Sequence, residues 1–214
     1  MKKLILSFIT MFLCTALAHT TIAQTVENIE FDTVNWVLPE KYQITKFDGK
    51  QTLLIEKAGT YTYYYRSSYA YLKDYDFSDG IIEFDLYCPL SDEAYIGFLF
   101  RLNQYNGEDR YELFYFRPFM LNSMGAVQYF PVNNKTATFQ YYTDIVYQSA
   151  GNIPYNKWNH VKADIQGPRA VVYVNDIAVI TVNNLGRGLS KGSIGVWMEN
   201  STPKCYFANF KVTR

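Results

Sequence analysis

Apolar and polar residues alternate with a period of two along most of this chain, which predicts β-strands rather than helices. Gly80-Ile81-Ile82-Glu83-Phe84-Asp85-Leu86 alternates apolar with acidic side chains, the pattern of a half-buried strand. Residues 94–101 place Ile96, Phe98 and Phe100 on one face. Residues 111–117 place Phe114 and Phe116 on one face, and Tyr111, Leu113, Tyr115 and Arg117 on the other. Further runs cover 158–165, 170–174, 178–182, 193–198 and 206–212. Ser78-Asp79-Gly80, Asn106-Gly107, Gly167-Pro168, Asn175-Asp176 and Lys191-Gly192 are turn formers between these runs. Val171 to Val179 reads as a hairpin with a tight polar tip. The stretch 121–151 is the least regular and is expected to carry long loops or irregular strands. No amphipathic helix of ten or more residues is evident. Short strands with regularly spaced turns predict an all-β chain, an antiparallel two-sheet β-sandwich of jelly-roll style.

The first residues follow another pattern. Lys2 and Lys3 precede an apolar run from Leu4 to Ala18, and Thr21-Ile22-Ala23 ahead of Gln24 supplies small residues for cleavage. The run is short for a membrane span, which needs about 20 residues. Residues 1–23 therefore read as a signal peptide cleaved near Ala23-Gln24, which makes the protein secreted or periplasmic. Cys14 follows Met11-Phe12-Leu13, which is unlike a lipidation signal. Residues 24–214 form one domain, with no linker or fixed-period repeat.

Charge narrows the partners. Lys plus Arg equals Asp plus Glu at 20 each, and loss of Lys2 and Lys3 leaves the mature chain slightly acidic, about −2. A nucleic-acid partner would favour a clustered basic face. Beyond the leader no second apolar segment points to a membrane span. Aromatics make up 18% of the chain, 20 of them Tyr. Tyr couples a flat apolar face to a polar tip, which suits both a sandwich core and a sugar ring.

From Gly80 onward the chain resembles the concanavalin A-like lectin/glucanase sandwiches, and within them bacterial LamG-like and 3-keto-disaccharide hydrolase-like (DUF1080-type) secreted domains. The likeness rests on Asp79-Gly80 with Ile82-Glu83-Phe84-Asp85, Gly97-Phe98, Phe100-Arg101, Tyr111-Glu112, Phe114-Tyr115-Phe116-Arg117-Pro118 and Gln128-Tyr129 with Pro131. Trp158 with His160-Val161-Lys162, Val172-Tyr173-Val174, Gly192 with Gly195, and Tyr206-Phe207 with Asn209-Phe210 continue it, over roughly 45–213. The resemblance implies a concave front sheet able to hold a saccharide. The same sandwich hosts lectins, glycosidases and adhesion domains, so the fold does not choose among them.

Candidate chemistry concentrates in Arg101, Glu112, Tyr115, Arg117, Gln128 and Tyr129, on three successive strands. Such groups can bind sugar hydroxyls, with Arg giving planar bidentate contacts. They serve equally as a buried Arg–Glu pair stitching one sheet, and parity sets Glu112 opposite Tyr115 and Arg117. Glu83 and Asp85 share a strand face, but Tyr87 and Cys88 stand where glucanase motifs carry a second catalytic Glu. His160, the one histidine beyond the leader, reads as structural. Calcium would need only oxygen ligands, and Asp32, Asp48, Asp92, Glu93 and Asp109 are candidates without a distinguishing spacing. Trp197 is a candidate stacking platform, or a residue covering the sheet. Cys88 ends one predicted strand and Cys205 begins the last, and in an exported protein they can pair if those strands are antiparallel neighbours. Parity places Cys205 with Asn209 and Lys211, so a bridge needs a bulge. The favoured function is non-catalytic recognition of an oligo- or polysaccharide. A glycan-active hydrolase and a structural or adhesion domain remain alternatives.

Overall fold

A computed structural model describes residues 24–58, 67–91, 93–133, 141–186 and 188–214. The expected leader lies outside these residues. The strands are β1 (Val26–Asn28), β2 (Trp36–Val37), β3 (Tyr42–Phe47), β4 (Lys50–Glu56), β5 (Ser67–Leu72), β6 (Gly80–Tyr87), β7 (Ile96–Tyr105) and β8 (Glu108–Phe116). A 3₁₀ turn at Pro118–Met120 follows. Then come β9 (Val127–Asn133), β10 (Gln148–Ser149), β11 (Trp158–Gln166), β12 (Arg169–Val174), β13 (Ile177–Val182), β14 (Ser193–Glu199) and β15 (Lys204–Thr213).

These strands form two sheets. The eight-stranded sheet runs β13-β12-β11-β6-β15-β4-β3 with β1 against β15, and the seven-stranded sheet runs β10-β9-β8-β7-β14-β5-β2. The strand pairs are antiparallel. Tight turns close several hairpins. Asp48-Gly49, Asn106-Gly107 and Asn175-Asp176 each place two successive residues at positive φ, between 50° and 77°. Only such primed turns match the right-handed twist of the flanking strands. The irregular stretch 121–151 nonetheless contributes β9 in full register with β8.

The core lies between the sheets. Phe84, Phe207 and Phe210 of one sheet meet Phe98, Phe100 and Phe114 of the other. Phe84 and Phe98 touch edge to face at 5.7 Å, and Phe98 and Phe114 stack at 5.6 Å. Each fully buried ring contributes roughly 1.5–3 kcal/mol. A second apolar cluster covers the far face of the seven-stranded sheet, with Leu99, Tyr111, Leu113, Tyr115, Phe130 and Trp197 all buried. Strands β7 and β8 are therefore buried on both faces.

The parity expected for Cys205 does not hold. A register shift between Ala208 and Lys211, with Asn209 at φ 50°, turns Phe210 and Val212 inward alongside Phe207. Cys205 consequently faces the core with Cys88, and both are buried thiols.

Candidate functional site

The six candidate residues fall in three places. Arg101 lies at a bulge between Phe100 and Asn103, in the left-handed region at φ 53°. Its guanidinium crosses to turns of the opposite sheet, donating to the Ser78 carbonyl from Nε and Nη2 at 3.0 and 2.8 Å, and to the Gly167 carbonyl at 2.8 Å. An ion pair to Asp79 at 3.1 Å completes it. Glu112 and Tyr129 face the space between the sheets. The Tyr129 hydroxyl donates to Glu112 Oε2 at 2.5 Å and accepts from the Gly186 amide. Burial, then the Glu112 charge, pushes the Tyr129 phenol far above its usual range, so it stays a neutral donor.

Tyr115, Arg117 and Gln128 come together on the far face of the seven-stranded sheet. Tyr115 pairs with Gly97 and Gln128 across three strands. Its hydroxyl donates to Gln128 Oε1 at 2.6 Å, and Arg117 Nη2 donates to both oxygens. Gln128 Nε2 donates to the Tyr142 carbonyl at 2.7 Å, which fixes the amide orientation. The Arg117 guanidinium lies 5.0 Å from the Tyr115 ring centre and 5.8 Å from that of Tyr95. Arg117 Nε is buried and has no hydrogen-bond partner among the described residues. Burial raises the Tyr115 phenol pKa, against the lowering effect of Arg117.

The surroundings include residues that sequence reasoning missed. Tyr95 packs 5.9 Å from Tyr115 and 5.4 Å from Phe119, which is exposed on the 3₁₀ turn. Tyr95 falls within the run predicted over 94–101 but just before the observed start of β7, and Phe119 lies beyond the run that ends at Arg117. Glu199 lies beside Tyr95, donating its backbone amide to the Tyr95 carbonyl at 2.9 Å. Burial raises its carboxyl pKa, partly countered by hydrogen bonds from Ser201 and reinforced by the Glu93 charge. Trp197 is not an exposed platform. It is 4% exposed, 5.9 Å from Tyr115, because the side chains of this face cover one another.

Glu83 and Asp85 lie on the outer face of the eight-stranded sheet, each engaged by cations. Asp85 accepts from Lys50 Nζ and Asn209 Nδ2 at 2.6 Å each and meets His160 Nδ1 at 2.9 Å. Glu83 meets His160 Nε2 at 3.3 Å and Lys211 Nζ at 3.2 Å. Burial alone would raise the Asp85 pKa, but the Lys50, His160 and Asn209 hydrogen bonds outweigh it, and the net shift is downward from 3.8. Asp85 therefore stabilises the fold above the usual aspartate pKa and loses that contribution as pH falls through its lowered native value. Acid titration of urea stability should show a decline below about pH 4, and Asp85→Asn should flatten it.

Of the donors considered for calcium, three of the described ones are engaged by separate partners. Asp32 accepts from the Val34 and Asn35 amides, Asp48 from Trp158 Nε1 at 2.9 Å, and Asp109 from Tyr69 and Gln104. Glu93 is exposed, and Asp92 lies outside the described residues. Among the described residues no group of three or more His, Cys, Asp or Glu is placed to hold a metal ion.

Comparison with solved structures agrees with this topology. The carbohydrate binding module CBM66 from Bacillus subtilis superposes with a TM-score of 0.60 at 18% identity, covering 83% of this chain and 95% of its own. The fold is an antiparallel jelly-roll β-sandwich. A Bacillus licheniformis beta-glucanase gives 0.58 at 11% identity, covering 90% and 98%. A putative glycosyl hydrolase from Parabacteroides distasonis gives 0.55 at 12% identity, covering 85% and 89%. No family model matches the chain, and no curated protein matches it in sequence.

Proposed function

We propose that this protein is an exported saccharide-binding module, its leader removed near Ala23-Gln24, whose ligand contacts the Arg117 end of the seven-stranded sheet. The supporting observation is the half-buried Arg117, its guanidinium lying over Tyr95 and Tyr115 and donating to Gln128. A sugar ring can lie against Tyr95 and exposed Phe119 while its hydroxyls accept from Arg117. The similarity to the carbohydrate binding module CBM66 supports this class of ligand. The test is a glycan array with the purified protein, run with and without calcium. Arg117→Ala should weaken binding tenfold or more, about 1.4 kcal/mol. Arg117→Lys should rescue poorly, because an ammonium lacks the planar fork. Unchanged binding in Arg117→Ala would remove the ligand from this end of the sheet.

One observation favours the hydrolase reading, in which the likeness to 3-keto-disaccharide hydrolase-like domains extends to activity. Glu199 combines a raised carboxyl pKa with a position beside Tyr95 and within the electrostatic reach of Glu93. A general acid needs such a carboxyl. Cleaved glycan in the array eluate, abolished by Glu199→Gln, would replace the binding module with an enzyme.

A further inference from the structure

The outer face of the eight-stranded sheet carries a second row of aromatic rings, far from Arg117. Trp158, Tyr87 and Tyr206 are register partners across β11, β6 and β15, so their side chains lie side by side on one face. Neighbouring strands are about 4.8 Å apart, and three rings make a strip about 10 Å long, comparable to a disaccharide. Phe47 packs across the row, stacked on Tyr206 at 4.1 Å with an interplanar angle of 16°, edge-on to Tyr87 at 4.9 Å and 6.0 Å from Trp158. All four rings are half-exposed, although the protein has a full aromatic core elsewhere.

Polar groups flank this strip. The residue pair two positions along the strands is His160 with Asp85, and the next is Lys162 with Glu83. Lys50 Nζ lies 5.1 Å from the Trp158 ring centre and holds Asp85. Trp158 is itself oriented by its Nε1 bond to Asp48. The side chains of Lys50 and His160 are 30% and 38% exposed, so donors remain within reach of solvent beside the rings. Within this patch the Lys50 and Lys211 charges balance those of Asp85 and Glu83. An apolar strip edged with hydrogen-bonding groups and no net charge matches the two-sided chemistry of a neutral sugar: C–H faces on rings, hydroxyls on donors and acceptors.

We propose that Trp158, Tyr87, Tyr206 and Phe47, with Lys50 and His160, form a second binding surface for a neutral oligo- or polysaccharide. This surface stands on its own observations and does not depend on the Arg117 site. The protein then presents one glycan contact on each sheet, and a polymer engaging both gains avidity.

Trp36 and Trp197 are 1% and 4% exposed, whereas Trp158 is half-exposed. Intrinsic fluorescence therefore tests the proposal, with native affinity gels containing dextran, laminarin, xylan or mannan as a second readout. At least one of these should retard the protein and shift its tryptophan emission. Arg117→Ala should weaken retardation without abolishing it and leave the tryptophan emission shift in place. Trp158→Phe should keep retardation and lose the emission shift, because it retains a ring. Trp158→Ala, with folding confirmed by thermal melting, should weaken binding tenfold or more in the Arg117→Ala background. Loss of both signals in Arg117→Ala, unaltered binding in folded Trp158→Ala, or no response to any of the four glycans would overturn the proposal. Binding lost in Trp158→Ala but intact in Arg117→Ala would uphold this surface and remove the Arg117 site.

Discussion

Oxidation of the purified protein by oxidised glutathione is expected to join Cys88 to Cys205 and stabilise the fold by about 4–5 kcal/mol. The reasoning starts from register. Tyr206 faces Tyr87 on antiparallel strands, so the next pair outward is Cys205 with Cys88. Both side chains point into the core, at 0% and 1% exposure. Burial drives the Cys88 thiol up to about 12. Cys205 is raised too, by burial first and by the proximity of Cys88 second. Thiolate is therefore scarce in the native state, and exchange with an external disulfide should be slow until the strand ends open. Once formed, the bond closes a loop of about 117 residues, and loops of that length lose the most chain entropy on cross-linking. Thiol counting under denaturing conditions should find two reactive groups beyond the leader in reduced protein and none after oxidation. Urea midpoints should fall by a similar amount on reduction or in Cys205→Ser. Two free thiols after prolonged oxidation, or an oxidised form no more stable than the reduced one, would refute the pairing.

Arg101→Met is expected to cost about 3 kcal/mol or more, with no loss of glycan affinity in the folded protein. The methionine keeps much of the apolar bulk but removes the donors that satisfy the Ser78 and Gly167 carbonyls. The lost bonds are charge-assisted, each worth about 1.5–3 kcal/mol, while water can reach the carbonyls of the exposed Ser78 and Gly167. These contacts tie the β7 bulge to the start of β6 and the β11–β12 turn, so their loss loosens one end of the sandwich. Urea denaturation measures the cost, and the glycan array measures the affinity. An equal fall in glycan affinity would instead place Arg101 in a binding site.

The sequence was informative where one period governs many residues. Strands 80–87, 158–166, 169–174 and 177–182 lie within a residue or so of their predicted limits, and the Asn106-Gly107 and Asn175-Asp176 turns stand where their dipeptides placed them. Alternation is repeated along each strand, so single exceptions do not erase it. The parity that separated Glu112 from Tyr115 and Arg117 also holds, since β8 is unbroken there. The same counting failed for Cys205. One left-handed residue, Asn209, inserts a bulge and reverses the faces on either side of it.

The composition of each surface was settled by tertiary structure alone. Alternation can say that Trp197 opposes Val196 and that Tyr115 opposes Phe114, but not that the two share a face which is itself packed and buried. That depends on how neighbouring strands cover one another. Arg101 resembled a ligand-facing side chain by residue type, and only the approach of Ser78 and Gly167 from the other sheet shows what it holds. The Trp158–Tyr87–Tyr206 row joins residues far apart in the chain through two strand registers. The sequence by itself determined which residues are strands and which side chains share a strand face, because both follow from local backbone geometry. Which strands become neighbours, and therefore which polar groups meet across them, was decided only by the closure of the two sheets around one core.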